Sequence, residues 1–216
     1  MARAAGQAAS RSPERLRGGG GGRRRARYGS GKLNRICRTF GAGNLNMPPT
    51  YRLVAANTTA QFAAARTLIE EYAARIGASG VDLGFQNFAA ELDQLPSMYG
   101  PPSGCLLLAS RDDEWVGCCA LRRFSDEVCE MKRLYVRPSA RGAGLGGLLI
   151  ERLLSTARAL GYRRMVLDTL GDMVAARAMY RSLGFRETKP YYFNPIAGVS
   201  YMELDLEITQ FTAPRS

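Results

Sequence analysis

Residues Cys129–Leu149 read C-E-M-K-R-L-Y-V-R-P-S-A-R-G-A-G-L-G-G-L-L, and this stretch decides the fold. Leu134, Tyr135 and Val136 suit a pleated surface. Pro138 has no N–H to give a ladder, so the strand ends before it. Gly142, Gly144, Gly146 and Gly147 then allow positive φ and close backbone approach. From Leu145 the apolar residues fall at 145, 148, 149, 153, 154, 157 and 160, a helical period with one apolar face. The stretch is a strand, a glycine turn and a helix.

Such a turn favours an anion. The first N–H groups of a helix have no intrahelical partner, and the helix dipole adds partial positive charge there. The first turn carries no Asp or Glu, and Arg141 adds a full charge with a forked donor. A diphosphate is the natural guest, against a plain strand-to-helix turn that binds nothing. A Walker loop is excluded, because no Lys-Ser or Lys-Thr pair follows the glycines. Gly142, Gly144 and Gly147 match the spacing of a dinucleotide fingerprint, but Asp168 lies further along than its acidic residue should.

Arg141, Gly144 and Gly146 also form R-x-x-G-x-G after a strand ending L-Y-V-R-P, which resembles the acetyl-CoA-binding signature of the GNAT superfamily of N-acetyltransferases. A second segment, Ala176–Phe185 (A-R-A-M-Y-R-S-L-G-F), resembles that family's A-x-x-x-Y-x-x-x-G-F helix. The resemblance runs over about residues 51–208 and is strongest over 130–185. It looks like a bacterial-type member with no assigned substrate.

The remaining elements follow from pattern. Tyr51–Ala55 is a strand. Thr58 and Gln61 make a capping box for a helix to about Ile76, closed by Gly77 and Gly80. A shorter helix over Asn87–Leu95 is stopped by Pro96. Phe85, Phe88, Met98 and Tyr99 border it. Cys105–Ser110 and Trp115–Phe124 are strands joined by a polar turn at 111–114. The long helix ends at Gly161, and Arg164–Thr169 is a strand. Asp172 caps a helix over Met173–Leu183, which Gly184 stops. Phe185–Phe193 and Ser200–Ile208 close the sheet. The fold class is a mixed α/β (α+β) sheet. The resemblance implies the GNAT-like acyl-CoA N-acyltransferase fold, with splayed central strands flanked by helices.

Composition narrows the function. Of the net +11, residues 1–46 carry +10, from eleven Lys and Arg against Glu14 alone; the rest of the chain is nearly neutral. The high charge thus describes a tail. Rich in Arg, Gly and Ala, that tail reads as disordered: a basic arm for nucleic acid, a transit sequence, or a mis-called start preceding Met47, the last being preferred. The domain itself is placed at 51–208. No apolar run approaches a membrane span. Five cysteines, at 37, 105, 118, 119 and 129, lack C-x-x-C spacing and suit a reducing, cytoplasmic setting. The absence of histidine excludes every mechanism built on a His base, and no metal is expected.

The resemblance implies the chemistry: acetyl-CoA as co-substrate, and a primary amine of a small molecule or peptide as acceptor. The amides of Leu134, Tyr135 and Val136 would meet the pantetheine arm and the thioester oxygen, with Val136 the oxyanion donor. The turn Arg141, Gly142, Ala143, Gly144, Leu145, Gly146 and Gly147 would hold the diphosphate. Tyr180 matches the tyrosine that protonates the leaving sulfur; a phenol near 10 suits a thiolate of similar basicity.

Glu130, six residues before Val136 and so on the same face of a regular strand, resembles the glutamate that acts as base in histone-acetylating members; other members use a water chain. Asp168 is the other carboxylate in reach and could instead bind the acceptor ammonium. The aromatic run Tyr191, Tyr192 and Phe193 either lines the acceptor pocket or covers a sheet edge. Met173 stands where the family commonly has an Asn. A homodimer stays open, as does a non-catalytic acyl-CoA-binding regulatory module.

Overall fold

The computed structural model describes residues 50–78 and 87–207. The arm over 1–46, Gly80, Phe85 and Ile208 lie outside them. Strand β1 (Arg52–Ala55) leads into helix α1 (Thr59–Gly77). The capping box forms in both directions: Thr58 accepts from the Gln61 N–H, and the Gln61 side chain accepts from the Thr58 N–H at 3.2 Å. Thr58→Ala should therefore cost about 1 kcal/mol, read from the urea midpoint.

Two short helices follow where one was expected, α2 (Phe88–Asp93) and α3 (Leu95–Tyr99). Pro96 does not stop a helix but sits in the first turn of α3, where a missing N–H costs nothing. Strands β2 (Cys105–Arg111) and β3 (Glu114–Arg123) form a hairpin whose two central residues, Asp112 and Asp113, have φ of 51° and 61°. These are the values of a tight primed turn.

Strand β4 (Val128–Val136) leads through a 3₁₀ turn at Pro138–Ala140 to α4 (Leu145–Ala159), then β5 (Arg164–Thr169) and α5 (Val174–Ser182). Asp172 does not cap α5: Met173 is the N-cap residue, and no side chain bonds the helix end. The last pair, β6 (Arg186–Glu187) and β7 (Ser200–Asp205), is also shorter than expected. Pro190 has no N–H to pair. The hydroxyls of Tyr191 and Tyr192 draw the segment onto Glu130 and Asp168 instead.

The seven strands among the described residues form one sheet in the order β1-β2-β3-β4-β5-β7-β6. Neighbours are antiparallel except β4 and β5. One face packs on α1, α2 and α3, with Leu68, Ile69, Leu95, Leu106 and Leu108 buried there. The other packs on α4 and α5, with Leu145, Leu149, Leu153, Cys119 and Met165. The cysteines at 105, 118, 119 and 129 are reduced and buried in β2, β3 and β4. Burial pushes the Cys118 and Cys129 thiols up to about 12, so they act as small apolar residues.

Candidate active site

The site begins where two strands part. β4 and β5 pair only at Val128–Arg164, Cys129–Met165 and Glu130–Val166. β4 runs six residues further, to Val136, and β5 three further, to Thr169, without pairing to each other. Met131, Lys132, Arg133 and Leu134 on one side, with Leu167, Asp168 and Thr169 on the other, line a cavity of about 100 Å³ in this opening.

A β-bulge sets how β4 faces that opening. Cys118 pairs Tyr135 and Ala120 pairs Lys132, so β4 holds one extra residue there. Arg133 takes it up at φ 57°. An extra residue reverses the alternation of side chains. Cys129, Met131, Leu134 and Val136 pack on the α4 side, while Tyr135 packs with the α1 side. The expectation that Glu130 and Val136 share a face is thereby corrected: they point to opposite faces.

The backbone of Val136 follows from the ladder. The Arg137 N–H donates to the Val116 carbonyl at 2.8 Å, which makes Gly117 and Val136 a non-hydrogen-bonded pair. The Val136 N–H and C=O therefore point away from β3, to the side on which β5 has diverged. Its carbonyl accepts from Arg141 Nε at 2.8 Å.

A larger groove of about 670 Å³ lies beside the opening. It is bounded by Leu134, Tyr135 and Val136, by the turn Arg141–Gly147 except Ala143, and by Met173, Ala176 and Met179. The groove and the inner cavity share Leu134, Met173 and Ala176. Gly142 and Gly144 have φ of 83° and 78°, and a Cβ added at Gly142, Gly144 or Gly147 would meet nothing within 4 Å. Their surface is open, as a cradle for a ligand requires. Gly146 is small for another reason, since a Cβ there would come within 3.3 Å of Met179 Sδ.

The first turn of α4 has no acid, and its Gly144 cap has no side chain to bond it. The amides of Leu145, Gly146 and Gly147 remain for a guest. Arg75 of α1, not singled out in the sequence, also borders the groove. The residues present fit a phosphorylated, extended carrier. Ala143, within the turn, is exposed.

Tyr180 lies at the inner end and is buried. Burial, and then Tyr72, Cys119 and Asp168, hold its phenol well above the ordinary value. Its hydroxyl has no protein hydrogen-bond partner among the described residues.

The two carboxylates are present but occupied. Glu130, 1% exposed, bonds Arg122 at 2.6 Å and accepts from Tyr191 at 3.0 Å, with Lys132 3.7 Å away. Asp168 pairs with Lys132 at 3.0 Å and accepts from Tyr192 at 2.7 Å and Asn194 at 3.4 Å. Glu130 is thus a buried, salt-bridged carboxylate at rest. Lys132 and Arg122 were missed because charged residues in a strand read as a solvated face. Tyr72 of α1 also borders both cavities, and burial pushes it up to about 12.

The sheet order, the parted strands and the glycine-bounded groove define an acyl-CoA N-acyltransferase architecture. The chain belongs to the acetyltransferase (GNAT) family, whose model matches residues 65–185, more than half of it. It is 45% identical over 144 residues to an uncharacterised N-acetyltransferase of Schizosaccharomyces pombe, an alignment covering 65% of this chain and 86% of that protein.

Among solved structures it is similar to an acetyltransferase from Streptococcus agalactiae, with a TM-score of 0.61 and 23% identity over 72% of this chain and 98% of the other. It is also similar to an acetyltransferase of Salmonella typhimurium solved with acetyl-CoA. There the TM-score is 0.53 and identity 22%, over 77% and 98% of the two chains. These two likenesses carry the fold. No helix among the described residues is long and apolar enough to cross a membrane.

Proposed function

We propose that the protein transfers an acetyl group from acetyl-CoA to a primary amine of a small molecule or peptide, by direct attack of the amine on the thioester. The observation that carries this is the parting of β4 and β5 after Glu130 and Val166, with a glycine groove entering the gap from one side and Tyr180 at its inner end. Acetyl-CoA supplies the acetyl group already activated.

In this reading the amides of Gly142–Gly147 hold the diphosphate, the Arg141 amide being bonded to the Pro138 carbonyl, while Arg75 and Arg141 hold charge at the mouth. Leu134 and Tyr135 guide the pantetheine arm, and the Val136 N–H meets the carbonyl oxygen as charge develops on it. Tyr180 carries the proton that the sulfur needs on leaving. Asp168, at the far end of β5, orients the acceptor amine.

Glu130 is assigned a positioning role, holding Arg122 and Lys132. The ammonium proton leaves to water, because both carboxylates are already bonded at rest. Met173, in place of a polar residue, gives the carrier an apolar contact and no hydrogen bond.

Incubation with acetyl-CoA and a panel of amines, reading free thiol, tests the reading. Amine-dependent thiol release supports it; tight CoA binding by calorimetry without turnover on any amine would establish the non-catalytic alternative. A second test uses Gly147→Asp. The position is sterically open, so the new carboxylate fits but opposes the diphosphate at the helix N-terminus. KM for acetyl-CoA should rise by about tenfold, with kcat changed far less.

A further inference from the structure

On the α1 face of the parted strands a third cavity, of about 320 Å³, is bordered by Asn87, Arg122, Phe124, Glu130, Lys132 and Tyr192. It shares Lys132 with the inner cavity where Tyr180 lies. It therefore adjoins the opening between the strands, and its hydrogen-bonding inventory bears on what an acceptor bound there would carry.

The carboxylates around it are satisfied. Glu91 holds Arg133 through both oxygens, at 2.7 and 2.6 Å. The Glu130 oxygens are divided between Arg122 and Tyr191. The Asp168 oxygens are divided between Lys132 and the Tyr192–Asn194 pair.

The donors are in surplus. Both bonds from Arg122 to Glu130, from Nε at 2.7 Å and Nη2 at 2.6 Å, end on the single oxygen Oε2. Its Nη1 meets no protein acceptor among the described residues, and the side chain is 33% exposed against 1% for Glu130. Asn87 caps α2 by position only, since its side chain makes no cap bond. A guanidinium has five N–H donors and a carboxylate about four acceptor sites. The excess here lies on the donor side and faces the cavity.

Charge agrees with this. Arg122, Lys132 and Arg133 balance Glu91, Glu130 and Asp168, so a purely cationic amine enters a cavity with no net attraction for it. An acceptor that brings its own anionic group meets an incompletely bonded guanidinium.

We infer that the acceptor is an amine bearing a carboxylate, an amino acid or a molecule with that end group, and that Arg122 is the residue that selects it. This deepens the acetyltransferase reading and rests on it. The amine lies toward Asp168 and the parted strands, and the carboxylate toward Arg122 Nη1. Phe124, 45% exposed at the rim, flanks the acceptor's carbon skeleton.

The test compares matched pairs with the full chain: alanine with ethylamine, 4-aminobutanoate with propylamine, phenylalanine with phenethylamine, and putrescine as a dication. The carboxylated member should have the higher kcat/KM by about tenfold or more, the scale of a charge-assisted hydrogen bond that the decarboxylated amine cannot make. Putrescine should be the poorest acceptor.

In Arg122→Gln the ratio within each pair should fall toward one, through KM of the carboxylated member. Arg122→Lys, which keeps the charge on Glu130 but loses the fork, should retain folding and lose most of the preference. Equal or better turnover of the decarboxylated amines or of putrescine by the wild type would overturn the inference, as would an unchanged ratio in both variants.

Calorimetry of each pair on the CoA complex separates this from the parent reading. Carboxylate-selective binding without turnover would leave the inference standing and remove the acetyltransferase reading. Binding of neither member would overturn the inference.

Discussion

Tyr180→Phe should lower kcat by about 100-fold or more, the range of a positioned proton donor, while KM for acetyl-CoA and the melting temperature stay close to wild type. The reason lies in what the hydroxyl touches. The ring is buried among Phe185, 5.8 Å away, and the α4–α5 side of the core. Phe preserves that packing. The hydroxyl has no protein partner among the described residues, so its removal strands no buried donor or acceptor. The effect is confined to a step in which the oxygen gives up a proton.

A phenol held above its ordinary value by burial stays protonated through the physiological range. The rise of kcat/KM with pH should therefore follow ionisation of the free amine, with no fall from Tyr180 below about pH 10. A steady-state pH profile of wild type against Tyr180→Phe checks both statements. Equal kcat in the two proteins would remove the proposed role. A proportional loss of CoA affinity would reassign the residue to binding.

What the chain discloses without coordinates is what is encoded locally. The apolar period from Leu145, the Thr58–Gln61 capping box, Gly161 and Gly184 after helix ends, and the strand at 164–169 depend on residues a few positions apart. These elements appear at the expected places. The glycine turn was legible for the same reason, since only positive φ and open space explain Gly142 and Gly144.

Features set by distant partners were not legible. Gln94 divides α2 from α3 because Pro96 suits a new first turn. The segment after Glu187 leaves β7 because Tyr191 and Tyr192 find carboxylates on β4 and β5. Lys132 is buried because Asp168 and Glu130 meet it there. The bulge at Arg133 is the costliest omission. Strict alternation through 130–136 places Glu130 beside Val136, and a single extra residue separates them onto two faces of the sheet.

That bulge is also where the fold is most vulnerable, and Glu91→Leu should destabilise the protein by about 3–5 kcal/mol. Arg133 is an ordinary L-residue at φ 57°, a conformation that costs on the order of 1 kcal/mol. It is held by a bidentate bond to Glu91 on α2, with the Glu91 carboxylate also accepting from Tyr99 at 2.8 Å and the guanidinium lying 5.1 Å over the Phe88 ring. Both charges are nearly out of contact with water. Removing the carboxylate leaves a buried cation whose desolvation is no longer offset.

The Glu91→Leu/Arg133→Met double variant should lose much less than the sum of the two single changes, because no charge is then stranded. Backbone strain cancels in that cycle, since Met and Arg are both unbranched at Cβ. Burial raises the Glu91 carboxyl, but Arg133, Tyr99 and Lys132 together lower it more, so its folded value lies below the ordinary one. A depressed carboxyl stabilises fully above the unfolded value of about 4.3, and that contribution is lost as pH falls through the lower folded value. The gap between wild type and Glu91→Leu should accordingly be widest at neutral pH and close in acid.

Urea unfolding of the four proteins at pH 7 and pH 3 measures both effects. Because Arg133 sets the direction of Leu134 and Val136, the single variants should also lose kcat when assayed well below their melting temperatures. Full activity there would mean that the bulge is held by the sheet alone and that α2 has no part in aiming the Val136 amide.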